Sequence, residues 1–352
     1  MNKLQRFFIC FLVVGFSEGQ LCAQNSFLAR YKSTEPGSIE YLKIPVKDSL
    51  GNADFLPVAI YKGQKSGPVF TIVAGVHGFE YAPIMATQEL LQEIEVAQLS
   101  GTLIIIPIAS RGSFYNREPF KNPEDQVNLN NAFPGIKNGT VTQQVADLIT
   151  REIIPVTDVF LDIHGGDAPE DLLSFICYYD NQAKPAQTKL AETLSVASGY
   201  QYVVSYPYTI SDDEPAKYAF KQAVQDGKTG LSIESGKLGN VQEDAVAEVK
   251  VGVYNMLRKM EMYGDPANIT PHPNIIRRNH QVYVRSEQEG IFYSKYEAGD
   301  TVEKGTVVGY TTDEFGTILE EYKASISGII LYKLATPPIN KGDTVMCISA
   351  KK

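Results

Sequence analysis

The strongest constraint on this chain is a series of short, almost wholly apolar runs that alternate with amphipathic segments between residues 68 and 262. "PVFTIVAGV" (68–76), "TLIIIPIA" (102–109), "DVFLDIHGG" (158–166), "LLSFICYYD" (172–180), "YQYVVSY" (200–206) and "TGLSIESG" (229–236) are strand-length and rich in β-branched residues. Runs that are apolar on every residue suit strands buried on both faces. Helical periodicity falls between them: over 80–99, where Ile84, Leu90, Leu91 and Ile94 share a face, about 141–153, and near 185–198, 214–226 and 242–262. Strands alternating with helices predict an α/β layer, a largely parallel sheet with helices on both faces. Residues 37–62 read as an antiparallel hairpin with its turn at "SLGNAD", so the whole sheet should be mixed.

The pattern stops at "YGDPANITPHPN" (263–274), rich in proline, asparagine and glycine, where a domain boundary is expected. That gives a catalytic domain over 24–265 and a small all-β domain over 275–352. "GDTV" occurs in the latter at 299–302 and 342–345, which suggests pseudo-symmetry. At the other end, Lys3 and Arg6 precede the apolar "FFICFLVVGF", which is short for a membrane span. Residues 1–23 therefore read as a signal peptide cleaved near Ala23, and the protein as secreted or periplasmic. The alternative is an uncleaved anchor. The net charge is −9, and loss of residues 1–23, which carry Lys3, Arg6 and Glu18, leaves −10. With no Lys/Arg cluster, nucleic acid is not an expected partner. Cys10 and Cys22 would leave with the signal; Cys177 and Cys347 read as small buried hydrophobes.

The chemistry gathers at strand ends. Of four histidines, His272 and His280 lie in or near the linker and read as surface residues. His77 in "AGVHG" and His164 in "LDIHGG" each end a strand, and ligands bind at the carboxyl ends of strands in open α/β sheets. Glu80 opens the next helix, one turn from His77. His-x-x-Glu alone also fits two polar loop residues, and His164 also fits a core histidine bonded to backbone. "LSIESG" ends another buried strand in Glu234, and a lone buried glutamate needs a partner or a purpose. Beside a metal it could serve as general base and then general acid. Asp162 points to the same side of its strand as His164 and could orient that imidazole; Asn128 is a similar candidate. The polar loop 110–135 adds Arg117, Asn130 and Asn131 as groups to position a substrate, although Arg117 reads equally as a solvated loop residue.

Taken together, these motifs resemble the succinylglutamate desuccinylase/aspartoacylase family of zinc-dependent deacylases, relatives of the zinc carboxypeptidases. "GVHGFE", "NPEDQVNLNNAFPG", "DIHGG" and "IESG" carry the resemblance, over roughly 65–265. It implies a zinc-carboxypeptidase-like (phosphorylase/hydrolase-like) fold and one zinc per chain. His77, Glu80 and His164 would be the metal ligands and Glu234 the base. Two positions depart from the family loop: its glycine is Gln126 here, and the arginine after NLN is Asn131. Arg117 could replace that arginine as a substrate clamp or polarise the scissile carbonyl. The C-terminal region resembles the biotinyl/lipoyl barrel-sandwich fold, but its hairpin near "TTDEFGTILEE" lacks the lysine that would carry a cofactor, which points to a shielding or docking role.

The function expected is hydrolysis of an amide bond in a small N-acylated compound, through metal-activated water and a glutamate base. A metallocarboxypeptidase acting on peptides, or a non-catalytic binding protein on the same fold, are the alternatives.

Overall fold

The apolar runs come together in one sheet. The protein is described here by a computed structural model covering residues 26–351; the expected signal segment, with Cys10 and Cys22, lies outside the described residues. The strands are β1 (Ser38–Lys47), β2 (Ala53–Lys62), β3 (Lys65–Ala74), β4 (Ser100–Ile106), β5 (Val159–His164), β6 (Glu170–Leu172), β7 (Phe175–Asp180), β8 (Tyr202–Pro207), β9 (Thr229–Glu234) and β10 (Ile276–Arg278). All but β6 form a nine-stranded sheet in the order β1-β2-β4-β3-β5-β9-β7-β8-β10.

The sheet is mixed. β4, β3, β5 and β9 are parallel neighbours, while the β1–β2 hairpin joins β4 antiparallel. β7 runs antiparallel to β9, and β8 and β10 follow β7 in parallel. The reversal at β7 has a physical cause. A parallel connection needs a crossover of a dozen or more residues, usually a helix, and only residues 165–174 separate β5 from β7. The chain turns back instead.

Helices α1 (Phe27–Ser33), α2 (Tyr81–Glu93), α3 (Arg111–Asn116), α4 (Val141–Leu148), α5 (Pro185–Ala197), α6 (Ala219–Gln225) and α7 (Glu243–Lys259) surround the sheet. The two faces can be read from the period of two along its strands. Phe70, Ile72, Leu103 and Ile105 pack with α2, α5 and α7 on one face. Val73, Ile104, Ile106 and Phe160 pack with α4 and α6 on the other. Burial of both faces is what the continuous apolar runs predict. The loop expected over 110–135 is more structured than its composition suggests, holding α3 and a 3-10 turn at Leu129–Asn131.

The C-terminal strands are β11 (His280–Arg285), β12 (Gly290–Tyr293), β13 (Thr301–Val302), β14 (Val307–Thr312), β15 (Ile318–Lys323), β16 (Gly328–Leu334), β17 (Pro338–Ile339) and β18 (Thr344–Ala350). They form two sheets, β11-β18-β16-β13 and β15-β14-β12-β17, around a core that includes Phe292, Val308, Ile330 and Ile348. Both "GDTV" copies lead into strands that flank β16, and Val302 and Val345 are both buried in that core. Two connections cross residues 263–274. β10 extends the large sheet, and β6 pairs antiparallel with β16 through Tyr332↔Leu172, Lys333↔Asp171 and Leu334↔Glu170. The second connection brings the C-terminal sheet against the strand ends. No helix among the described residues is long and apolar enough to cross a membrane.

Candidate metal centre

β3 runs out at Ala74, and a short turn carries His77 to Glu80, which caps α2. β5 ends on His164 and β9 on Glu234, and the two residues are direct register partners. The N–H of Ser235 donates to the His164 carbonyl at 2.9 Å, which locks the two strand ends together. The glycines after the histidines permit close backbone approach. A Cβ on Gly165 would stand 2.3 Å from the Ser235 carbonyl oxygen, and one on Gly78 2.2 Å from the Phe114 nitrogen.

One donor atom from each of His77, Glu80 and His164 lies within 4.8 Å of the others. His77 Nδ1 is 2.7 Å from Glu80 Oε1, and His164 Nδ1 is 3.1 Å from Glu80 Oε2. The second contact is close enough for an ion pair but is not aligned as a hydrogen bond, so Glu80 Oε2 is a buried acceptor without a donor. Burial alone would raise the Glu80 carboxyl, but the His164 and His77 imidazoles outweigh it and bring the group down to about 2. Burial would likewise lower His164, yet Asp162 and Glu80 hold it well above the ordinary histidine value. Both shifts mark a point that favours positive charge. Two imidazoles and a carboxylate suit zinc, which takes three protein ligands in hydrolytic sites.

Asp162 sits behind the site, fully buried, with Oδ1 3.1 Å from His164 Nε2. A carboxylate there fixes which imidazole nitrogen faces the metal. Asp162→Asn is therefore expected to weaken zinc affinity by about 10–100-fold, with the fold intact. Zinc competition against a chromogenic chelator measures it, and unchanged affinity would remove Asp162 from this role.

A cavity of about 220 Å³ opens above these groups. His77, Glu80, His164, Glu234 and Asn130 all line it. The structure does not bring Arg117 or Asn131 into it, and both are exposed. Arg117 is the left-handed C-cap of α3, with φ at 56°. Asn130 and Asn131 are neighbours in one 3-10 turn, and only the former faces inward, its Oδ1 buried without a donor. Asn128 caps that turn by accepting from the Asn130 N–H at 2.8 Å. Gln126 has φ at 57°, the left-handed region that glycine adopts without strain, which explains what a glycine would do there. Its side chain donates to the Pro123 carbonyl at 3.0 Å. His272 and His280 are half-buried and stand outside the cavity.

Other lining residues were not singled out from the sequence. Phe120 packs edge-on against His77, with ring centroids 5.3 Å apart. Glu170 comes from β6, and Tyr206 from β8. The C-terminal sheet supplies Tyr283, Tyr332 and Cys347, so it walls the site. Cys347 and Cys177 are both buried free thiols. Burial pushes Glu234 up to about 8; His164 opposes the rise, while Glu80, Glu170 and Asp162 add to it. Burial, with Glu80, also raises Glu170 to about 7. The one available signal for Glu170 was the acid-rich "HGGDAPED" just after a candidate ligand.

A fold with metal-competent side chains at strand ends and a carboxylate in register beside them defines a hydrolase-like site. Residues 66–260 match the succinylglutamate desuccinylase/aspartoacylase catalytic domain, and the chain belongs to that family. It is 28% identical over 317 residues to the N-alpha-acetyl-L-2,4-diaminobutyric acid deacetylase of Halomonas elongata, covering 88% of this chain and 90% of that one. Among solved structures, the product-bound ectoine utilization protein EutE (DoeB) from Ruegeria pomeroyi superposes with a TM-score of 0.79 at 24% identity, over 90% of this chain and 98% of that one. A succinylglutamate desuccinylase from Silicibacter sp. TM1040 does so with a TM-score of 0.78 at 25% identity, over 90% and 96%.

Proposed function

We propose that this protein is an exported, zinc-dependent deacylase that hydrolyses the amide bond of a small N-acylated amine. The observation that carries the reading is the register of His164 with Glu234 beside His77 and Glu80 at one cavity. His77, Glu80 and His164 would hold the ion. Bound there, zinc supplies Lewis acidity to the scissile carbonyl and to water. Glu234 would take a proton from the attacking water and return it to the leaving amine, a role that requires the bound cation to offset the burial that raises its carboxyl to about 8. Phe120, Tyr283 and Tyr332 line the same cavity. Deacylation by the Halomonas relative supports amide hydrolysis, and residues 1–23 are the ground for export.

Cavity size favours a small acyl compound over a peptide. About 220 Å³ lies below the roughly 300–1,000 Å³ usual for drug-sized ligands. Among the described residues no lysine or arginine lines the cavity, so a free substrate carboxylate has no such side chain to pair with there. The test is release of free amine from N-acetyl amino acids, from their carboxamides and from dipeptides, before and after chelation. The N-acetyl compounds should be cleaved, the carboxamides at least as well as the free acids, and chelation should abolish activity until zinc is restored. Preferential cleavage of dipeptides would instead favour a carboxypeptidase.

A further inference from the structure

We propose that the C-terminal β domain holds a second binding site, for a small aromatic acid: a flat apolar ring that carries an anionic group. The site is a cavity of about 590 Å³ lined by the end of β12, the start of β14 and the connection from β16 to β17. It shares no lining residue with the cavity at the metal centre, and the inference does not rest on the deacylase reading. Its volume falls within the roughly 300–1,000 Å³ usual for small-molecule sites.

Two features of the wall define the ligand. The first is aromatic. Tyr293 and Tyr310 are register partners on β12 and β14, and their rings stack with centroids 5.1 Å apart and planes within 15°. Both are exposed, as is Val307 on the same wall. Exposed apolar surface gathered in a concavity marks a place where something binds. A planar ring extends such a stack in the offset geometry that aromatic pairs prefer. Gly309 lets the Phe292 ring close the back of the wall, since a Cβ there would stand 2.6 Å from that ring.

The second feature is charge. Lys295 and Lys333 line the cavity, and among the described residues no aspartate or glutamate does. The chain as a whole carries −9, so this wall is locally positive on an acidic protein. The lysine ion pairs among the described residues are those of Lys189, Lys237 and Lys250, which leaves Lys295 and Lys333 without a carboxylate. Lys333 is half-buried, and a partly desolvated cation gains from a partner. Lys295 Nζ lies 5.5 Å from the centre of the Tyr296 ring, which holds its ammonium at the aromatic wall. An anion satisfies both lysines, whereas a cationic ligand would meet like charge.

The wall is set before a ligand arrives. The Phe292 N–H donates to the Pro337 carbonyl at 2.7 Å, the Ser294 hydroxyl to the Val308 carbonyl at 2.6 Å, and the Ala335 N–H to the Pro169 carbonyl at 2.7 Å. Little further ordering then opposes binding. The last of these bonds ties the site to the catalytic domain. On β16, Tyr332 lines the metal-centre cavity and Lys333 lines this one, so neighbouring residues of one strand serve the two.

Calorimetry of the full chain with naphthalene-2-carboxylate and with its neutral amide, 2-naphthamide, tests the site. The acid is expected to bind at least about tenfold tighter than the amide, the scale of one charge-assisted hydrogen bond. Lys295→Ala combined with Lys333→Ala should bring the acid down to the affinity of the amide. Tyr310→Ala should weaken both compounds by about two- to tenfold, the scale of one aromatic contact. All three side chains are exposed or half-buried, so the variants should keep the fold. Carboxylates also bind metal centres, so the titration is repeated after chelation, and the affinity should not change. Binding lost on chelation, full affinity in the double lysine variant, or equal binding of acid and amide would overturn the proposal. So would a dimer in sedimentation that Tyr310→Ala dissolves, because a second copy of the chain would then cover this face.

Discussion

Glu234→Gln is expected to lower turnover by about 10²–10⁴-fold, the usual contribution of a positioned general base, while the protein keeps one zinc per chain. Glutamine has the shape of glutamate and can occupy the end of β9, but it cannot accept the proton that water must lose. The residue is held by its register with His164 and by the Ser235 N–H bond across the two strands, so the exchange should leave the site's geometry in place. Because the effect falls on proton transfer, kcat should drop with little change in KM. Paired steady-state kinetics and metal analysis check this. Near-normal turnover would move the base to Glu170, the other carboxylate on the cavity not assigned to the metal.

His164→Ala should have the second large effect, and on two observables. Zinc content should fall from about one per chain to a small fraction, since a three-ligand site does not survive as two. Stability should also fall, by about 3–5 kcal/mol, the cost of removing one partner from a buried charged set. The imidazole stands between Glu80 and Asp162, both almost wholly buried. Without it, Asp162 loses its charged partner and Glu80 keeps only His77. His77→Ala should lose zinc too but destabilise less, because His77 pairs with one carboxylate, Glu80, rather than two and is more exposed. Denaturant unfolding of the two variants, each metal-free, isolates the stability part. Full zinc occupancy in both would refute the ligand assignment.

How much of this was legible in the sequence depends on the range of the interaction. His77, Glu80, His164 and Glu234 could be found because each ends or follows an apolar run whose local pattern encodes a buried strand. Asp162 followed from the two-residue period of the same strand. The antiparallel entry of β7 was not legible from its apolar pattern, which carries no direction; the short connection before it does. Arg117 and Asn131 were chosen for their chemistry, but a polar loop does not state where its side chains point. A left-handed C-cap aims Arg117 outward, and a one-residue step around a 3-10 turn separates Asn130 from Asn131. Glu170 and Tyr332 reach the site through the pairing of β6 with β16, about 160 residues apart, and Tyr283 through β11 on β18 of the same sheet. No local periodicity records that contact.

The central claim is that one metal ion held by His77, Glu80 and His164 makes this cavity a hydrolase. Titrating zinc into chelator-stripped protein while recording amine release from an N-acetyl amino acid tests it most directly. The rate should start near zero, rise in proportion to added zinc and level off at one equivalent per chain. Full activity in the stripped protein, or a rate indifferent to added zinc, would contradict it.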